Sequence, residues 1–206
     1  MKIKFALSAG LVLLSGLGLA FAGQAKSAAV PAAVTQEDAK VKEFKDILFK
    51  LVRQDEYLDE AIESLDSSAS RPDAQELAAL GVSLKSIAKN LNHVSALNKA
   101  EFTSIQSDTK LATYTNTILS YSRKVDRKAG QVGALIAQLA VQNKKAALRD
   151  AVTTRKNGKK ARGGKKLTQI LEEQKAVERL AADAKTLRGA SRNLTATSKW
   201  LYIASK

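Results

Sequence analysis

Apolar side chains recur along this chain at alternating spacings of three and four residues, and this repeat constrains the fold more than any other feature. The repeat forms four stripes, and no segment alternates with period two as a strand would. Narrow stripes of this kind suit helices that pack as a bundle or coiled coil. We predict an all-α protein, an antiparallel bundle of four long helices with coiled-coil-like packing. The stripes comprise Val41, Phe44, Leu48, Leu51, Leu58, Ile62 and Leu65; Leu77, Leu80, Leu84, Ile87, Leu91 and Val94; Leu111, Tyr114, Ile118, Tyr121, Val125, Val132, Leu135 and Leu139; and Leu167, Ile170, Val177, Leu180, Ala184, Leu187, Leu194 and Leu201.

The middle of the chain leaves five helices as the alternative. A break between the second and third helices is expected either at Asn98 or ten residues later at Ser107-Asp108. Gly130 and Gly133 could split the third helix, although its stripe keeps phase across them. With four helices, the turn at 66–72 and the segment at 155–166 lie at the same end of the bundle. With five helices they lie at opposite ends.

The first 22 residues are typical of a secretory signal peptide. Lys2 and Lys4 precede an apolar run that ends at Ala20-Phe21-Ala22, so we expect cleavage after Ala22. The alternative is a retained anchor, but Gly10, Gly16 and Gly18 weaken a run that is already short for a span. We expect a flexible segment at 23–34, one bundle domain at 35–206, and no transmembrane span after cleavage.

Cysteine is absent, so the mature protein has no disulfides and depends on packing. This favours a bacterial cell envelope over a eukaryotic secreted domain. We expect a periplasmic protein, with extracellular release as the alternative.

Positive charge is concentrated in one quarter of the chain. Residues 123–166 hold 14 Lys/Arg and two Asp/Glu, while the whole chain has a formal net charge of +14. The basic segment, RKNGKKARGGKK at 155–166, has no acidic or aromatic side chain. Lys and Arg on a glycine-containing loop can follow an irregular anionic surface. The candidate anion-binding residues are Arg155, Lys156, Lys159, Lys160, Arg162, Lys165 and Lys166.

Two other interpretations of the basic segment stay open. It could be a solvated linker, or it could be neutralised by an acidic run on the first helix, which four-helix topology places at the same end. Nucleic acid is a poor candidate ligand, because the segment has no aromatic residue for base stacking. Lipopolysaccharide, anionic phospholipid and an acidic wall polymer fit better. The acidic run comprises Asp55, Glu56, Asp59, Glu60, Glu63 and Asp66.

The residue inventory argues against catalysis. His93 is the single histidine and Cys is absent. The chain therefore lacks the His and Cys side chains that Ser-His-Asp or Cys-His catalysis, a zinc site or a di-iron site would need. Carboxylate pairs on a bundle helix line no cleft of the kind a glycosidase needs. We expect no enzymatic activity, no catalytic residues, no metal and no cofactor.

Two charged residues within the apolar stripes and an aromatic segment near the C-terminus suggest further contacts. Asp55 interrupts the first stripe and Lys128 the third, so the two either pair inside the bundle or lie exposed. The segment 199–203 holds the single Trp and could close the bundle end, contact a partner helix or lie at a membrane interface. Leu194, Trp200 and Tyr202 are the candidate partner-binding residues.

Together these features predict a non-enzymatic exported helical bundle that docks onto an anionic envelope component through the basic segment. The alternative is a periplasmic chaperone or adaptor that binds a protein partner through its helix faces. Homo-oligomers are compatible with either. The size, export signal, basic pI and helical pattern are similar to those of periplasmic helical chaperones, and no site residue is carried over from them.

Overall fold

Four α-helices make up the fold. The computed structural model describes residues 36–66, 72–105, 109–156 and 167–206. The helices are α1 (Gln36–Asp66), α2 (Ala74–Ser104), α3 (Thr109–Lys156) and α4 (Leu167–Ala204), and no strand occurs in the described ranges. The all-α, four-helix prediction is confirmed. The expected signal peptide at 1–22, the segment at 23–34 and residues 157–166 lie outside the described residues.

The helix boundaries follow local sequence signals. Asp73 caps α2, since its carboxylate accepts hydrogen bonds from the backbone N–H groups of Gln75 and Glu76. The Glu76 side chain in turn accepts from the Asp73 N–H, which completes a capping box. α2 continues through Asn98 and ends at Ser104, so the break falls near Ser107-Asp108 rather than at Asn98.

α3 runs unbroken through Gly130 and Gly133. A Cβ at Gly130 would lie 2.8 Å from Nη1 of Arg188, whereas nothing lies within 4 Å of a Cβ at Gly133. Gly130 therefore makes room for the Arg188 guanidinium group, which donates to the Asp126 carbonyl oxygen. Gly130 therefore allows α3 and α4 to pack closely and does not divide α3.

Side-chain contacts establish the arrangement of the helices. α2 and α4 are parallel neighbours, as Lys85–Asp183 and Ser95–Thr197 show. α1 and α3 are also parallel neighbours, whereas α1 pairs antiparallel with α2 and α3 antiparallel with α4. Around the bundle the order is α1, α3, α4, α2. Sequence-adjacent α2 and α3 thus lie across a diagonal.

The core follows the heptad pattern of all four helices. Each helix buries residues at alternating three- and four-residue steps, so the stripes interdigitate along the bundle axis. The largest fully buried side chains are Phe44, Leu51, Leu58, Leu84, Leu91, Val94, Ile118, Ile136, Leu180, Leu187, Leu194 and Leu201.

Several heptad positions on α3 and α4 hold small polar residues. Ser198 lies 2.7 Å from Ser122 Oγ and accepts a 2.9 Å hydrogen bond from Asn98, which joins α2, α3 and α4 through one fully buried hydroxyl. Thr115 and Ser205 pair at 2.6 Å nearer the bundle end. Each of these buried hydroxyls has a partner, whereas the buried Oδ1 of Asn98 has none among the described residues.

α3 and α4 extend beyond α1 and α2 at the end where α3 stops and α4 starts. Asp55 lies level with Lys124 and Lys128, so the end of α1 at Asp66, eleven residues later, lies level with about residue 137 of α3. α3 continues to Lys156, about 28 Å further at 1.5 Å per residue. By the same reasoning from Gly81 and Asp183, α4 begins about 14 Å before the start of α2. We call residues 138–156 and 167–175 the arm.

Within the described ranges, none of the helices combines the length and apolarity that crossing a membrane requires.

Candidate functional site

The basic segment joins the two helix ends of the arm. Arg155 and Lys156 belong to the last turn of α3, and α4 begins at Leu167 immediately after the segment. The other five predicted anion-binding residues (Lys159, Lys160, Arg162, Lys165 and Lys166) lie outside the described residues. The arm thus carries the attachment points of the segment away from the four-helix part of the bundle.

The arm itself adds to the positive charge. Between residues 138 and 176 the sequence has eleven Lys/Arg and three Asp/Glu, a net charge of +8. Seven of the eleven belong to the basic segment, so the rest of this range has four Lys/Arg, three Asp/Glu and a net charge of +1. Lys144 and Lys145 are exposed on α3, and neither forms an ion pair with any residue that the structure describes. Both lie about three turns before Lys156. Both lysines belong to the basic quarter of the chain at 123–166, but they are not among the predicted anion-binding residues.

The inside of the arm is partly polar. Asn143 continues the heptad series of Thr115, Ser122, Ala129 and Ile136, and its side chain is 3% exposed; neither amide atom has a hydrogen-bond partner among the described residues. Glu173 on α4 is also buried, at 5% exposure. A buried amide without partners costs free energy, so Asn143 stabilises the arm less than an apolar residue would.

Asp55 of the acidic run is bound by lysines of α3. Lys124 Nζ donates to Asp55 Oδ2 at 2.6 Å, and Lys128 Nζ lies 2.6 Å from Oδ1 in an ion pair. Lys128 also donates to Asp59 at 2.6 Å. The Asp55 side chain is 7% exposed. Of the two interpretations of Asp55 and Lys128, the structure shows pairing inside the bundle.

The electrostatics of this cluster favour ionised groups. Burial of Asp55 acts to raise its pKa, but hydrogen bonds and charge attraction from Lys124 and Lys128 outweigh it and lower the pKa below the ordinary value. The hydrogen bond to Asp55 raises the pKa of Lys124. Near neutral pH these ion pairs therefore stabilise the packing of α1 against α3.

These contacts also test whether the acidic run on α1 neutralises the basic segment. Asp55 and Asp59 already pair with α3, and α1 stops about 28 Å before Lys156 along the bundle axis. Glu63 and Asp66 are exposed near that stop. Among the described residues, no member of the acidic run lies level with the end of α3.

The candidate partner-binding residues have different environments. Leu194 is 0% exposed and belongs to the hydrophobic core, so a partner at the surface cannot reach it. The heptad position that made it a candidate instead directs it inward. Trp200 is 53% exposed and does not close the bundle end, while Tyr202 is half-buried, with Lys206 Nζ 4.8 Å from its ring centre.

His93 lies exposed on α2. Within the ranges described above, no three His, Cys, Asp or Glu side chains come together in a group that could hold a metal ion.

Comparison with protein-family models, curated proteins and solved structures finds no match for this chain.

Proposed function

We propose that this protein is a non-enzymatic, exported helical bundle that docks onto an anionic component of the cell envelope through the basic segment. The observation that supports docking most directly is the overhang of α3 and α4. A segment that only linked two helices could join them level with the ends of α1 and α2. Here α3 carries the first two residues of the segment, Arg155 and Lys156, about 28 Å past the end of α1, beyond the acidic run.

The charge of the arm supports the same proposal. Lys144 and Lys145 place two further exposed cations on the helix that leads into the segment. Each basic residue near an anionic surface contributes about 1 kcal/mol at low salt, and screening reduces this as ionic strength rises. Several such residues hold a protein at a surface without a shaped pocket.

Co-sedimentation with purified bacterial envelope fragments across a salt series tests this function. The variant changes Arg155, Lys156, Lys159, Lys160, Arg162, Lys165 and Lys166 to Gln. We expect the wild-type protein to pellet at low salt and to be released as salt rises, and the variant to stay in solution.

A matched control removes the same number of charges from the four-helix part. It changes seven exposed residues without ion pairs among the described residues to Gln: Lys42, Lys45, Lys50, Lys89, Lys99, Lys185 and Arg192. This control should still pellet. Equal loss in both variants would show a general charge effect, and no loss in either would show that the segment is a linker.

A second candidate function, a chaperone or adaptor for a protein partner, is favoured by the opposite end of the bundle. Phe102, Trp200 and Ile203 are 45%, 53% and 58% exposed. The Asn98–Ser198 contact places Phe102 level with Tyr202 and Ile203 on the neighbouring helix. Suppression of aggregation of a denatured client protein, undiminished by salt and lost in a Trp200→Ser/Ile203→Ser variant, would support this function instead.

A further inference from the structure

Three large apolar side chains are exposed on the arm. Val141, Leu148 and Leu171 are 51%, 67% and 47% exposed. Val141 and Leu148 are seven residues apart and so share one face of α3. Antiparallel packing of α3 and α4, seen at Ser122–Ser198, places Leu171 level with Leu148 on the neighbouring helix.

Exposed lysines alternate with these apolar side chains. Lys144 and Lys145 lie three and four residues after Val141, and four and three before Leu148, so they are neighbours on the same side of the helix. Lys144 and Leu148 also line one shallow groove with Gln174 of α4. The arm thus presents cations and apolar groups close together, past the level at which α1 ends.

This combination distinguishes among anionic ligands. A wall polymer or a free phosphate offers negative charge but nothing apolar to contact Leu148 or Leu171. A bilayer with anionic headgroups offers both, since acyl chains begin just below the phosphates, and helices that combine basic and apolar faces lie in this boundary. A second copy fits poorly, because the arm together with the basic segment carries a net charge of +8 and two such regions would repel.

We propose that the arm binds the surface of an anionic lipid bilayer. Val141, Leu148 and Leu171 enter the boundary between headgroups and acyl chains, while Lys144 and Lys145 contact lipid phosphates. This inference rests on the proposed docking function and names its ligand class. The arm lies on the membrane surface.

Vesicle flotation separates the lipid proposal from docking on a polymer. The probes are phosphatidylcholine vesicles with and without one quarter phosphatidylglycerol, and inorganic polyphosphate as a soluble polyanion. For Leu148→Ser/Leu171→Ser we expect a loss of about tenfold or more in partition to the anionic vesicles, with polyphosphate affinity unchanged. The control Phe49→Ser/Val82→Ser removes two side chains of similar exposure (63% and 68%) outside the arm and should partition like the wild type.

The variant with all seven Lys/Arg of the basic segment changed to Gln, the seven-Gln variant, distinguishes failure of the lipid inference from failure of the docking function. If it loses vesicle and polyphosphate binding while Leu148→Ser/Leu171→Ser binds vesicles normally, docking stands and the lipid inference is overturned. If the seven-Gln variant binds both probes as well as the wild type does, the docking function fails. If the wild type floats equally with vesicles lacking phosphatidylglycerol, the anionic requirement is wrong.

Two further measurements address insertion and self-association. In a Trp200→Phe background, Leu148→Trp should show a blue-shifted emission on anionic vesicles, and an unchanged spectrum would contradict insertion. Analytical ultracentrifugation without lipid should give a monomer. A dimer that Leu148→Ser/Leu171→Ser abolishes would mean that a second copy covers this surface and would overturn the proposal.

Discussion

Asp55 shows how a charged residue can occupy a heptad stripe without exposure to solvent. Its carboxylate is nearly buried, and two ammonium groups on α3 hold it in the ionised form. We expect Asp55→Asn to lower the free energy of unfolding by about 2 kcal/mol at pH 7, since two lysines lose their buried partner. Urea denaturation followed by circular dichroism measures this.

Asp59→Asn is the matched control. Asp59 pairs with Lys128 at the same distance, but its side chain is 61% exposed. Its loss should cost less than about 1 kcal/mol. An equal cost for both substitutions would contradict the assignment of Asp55 as the buried member of the cluster.

The cluster also predicts a pH dependence. The pKa of Asp55 is lower in the folded state than in the unfolded chain. Its contribution is therefore complete above the unfolded pKa of about 4 and disappears as pH falls through the lowered folded value. The difference in unfolding free energy between the wild type and Asp55→Asn should shrink between pH 7 and about pH 2.5. A difference independent of pH would show that charge is not the cause.

Asn143 is also a buried polar residue, but unlike Asp55 it is expected to destabilise the fold. Its amide lies at a core position of the arm and has no hydrogen-bond partner among the described residues, so Asn143→Leu should raise the free energy of unfolding by about 1 kcal/mol. The neighbouring exposed Gln142→Leu should give no such gain. Thermal denaturation of both variants measures the effect, and destabilisation by Asn143→Leu would mean that the amide has a function in the packing of the arm.

At the scale of the elements, α3 provides a matched pair of glycines. Gly133→Ala meets nothing within 4 Å and should stabilise the protein by about 1 kcal/mol through helix propensity. Gly130→Ala should gain less or destabilise, because its methyl group displaces the Arg188 guanidinium from Asp126. Chemical denaturation compares them, and in an Arg188→Ala background the two substitutions should give the same gain. A persisting difference there would contradict the role of Arg188.

The element boundaries illustrate what local signals predict. The capping sequence at Asp73 and the polar break at Ser107-Asp108 both mark helix ends, since orphan backbone groups at helix ends need partners wherever the helix packs. Asn98 has equally good capping chemistry but lies inside α2. Its side chain instead donates to Ser198, a hundred residues away, and no local signal indicates that.

For the whole molecule, the overhang predicts uneven protection along one continuous helix. Near Val125, α3 lies level with α1 as well as with α4, whereas α1 ends level with about residue 137 of α3. Hydrogen exchange measured by mass spectrometry should therefore show faster exchange at 144–155 than at 118–136. Uniform protection along α3 in the absence of lipid would mean that another chain covers the arm.

The helical class, the four stripes and the concentration of charge are predictable from the amino-acid sequence, because heptad spacing, caps and net charge are properties of residues near one another in the chain. The folded structure was needed to show which helices are neighbours, that Asp55 is bound by Lys124 and Lys128, and that Leu194 is buried while Trp200 is exposed. Stripes of similar width fit more than one order of helices around a bundle, and the register between helices depends on side chains far apart in sequence. The overhang of the arm follows from that register, so the position of the basic segment's attachment points, on which the proposed function depends, emerged only with the fold.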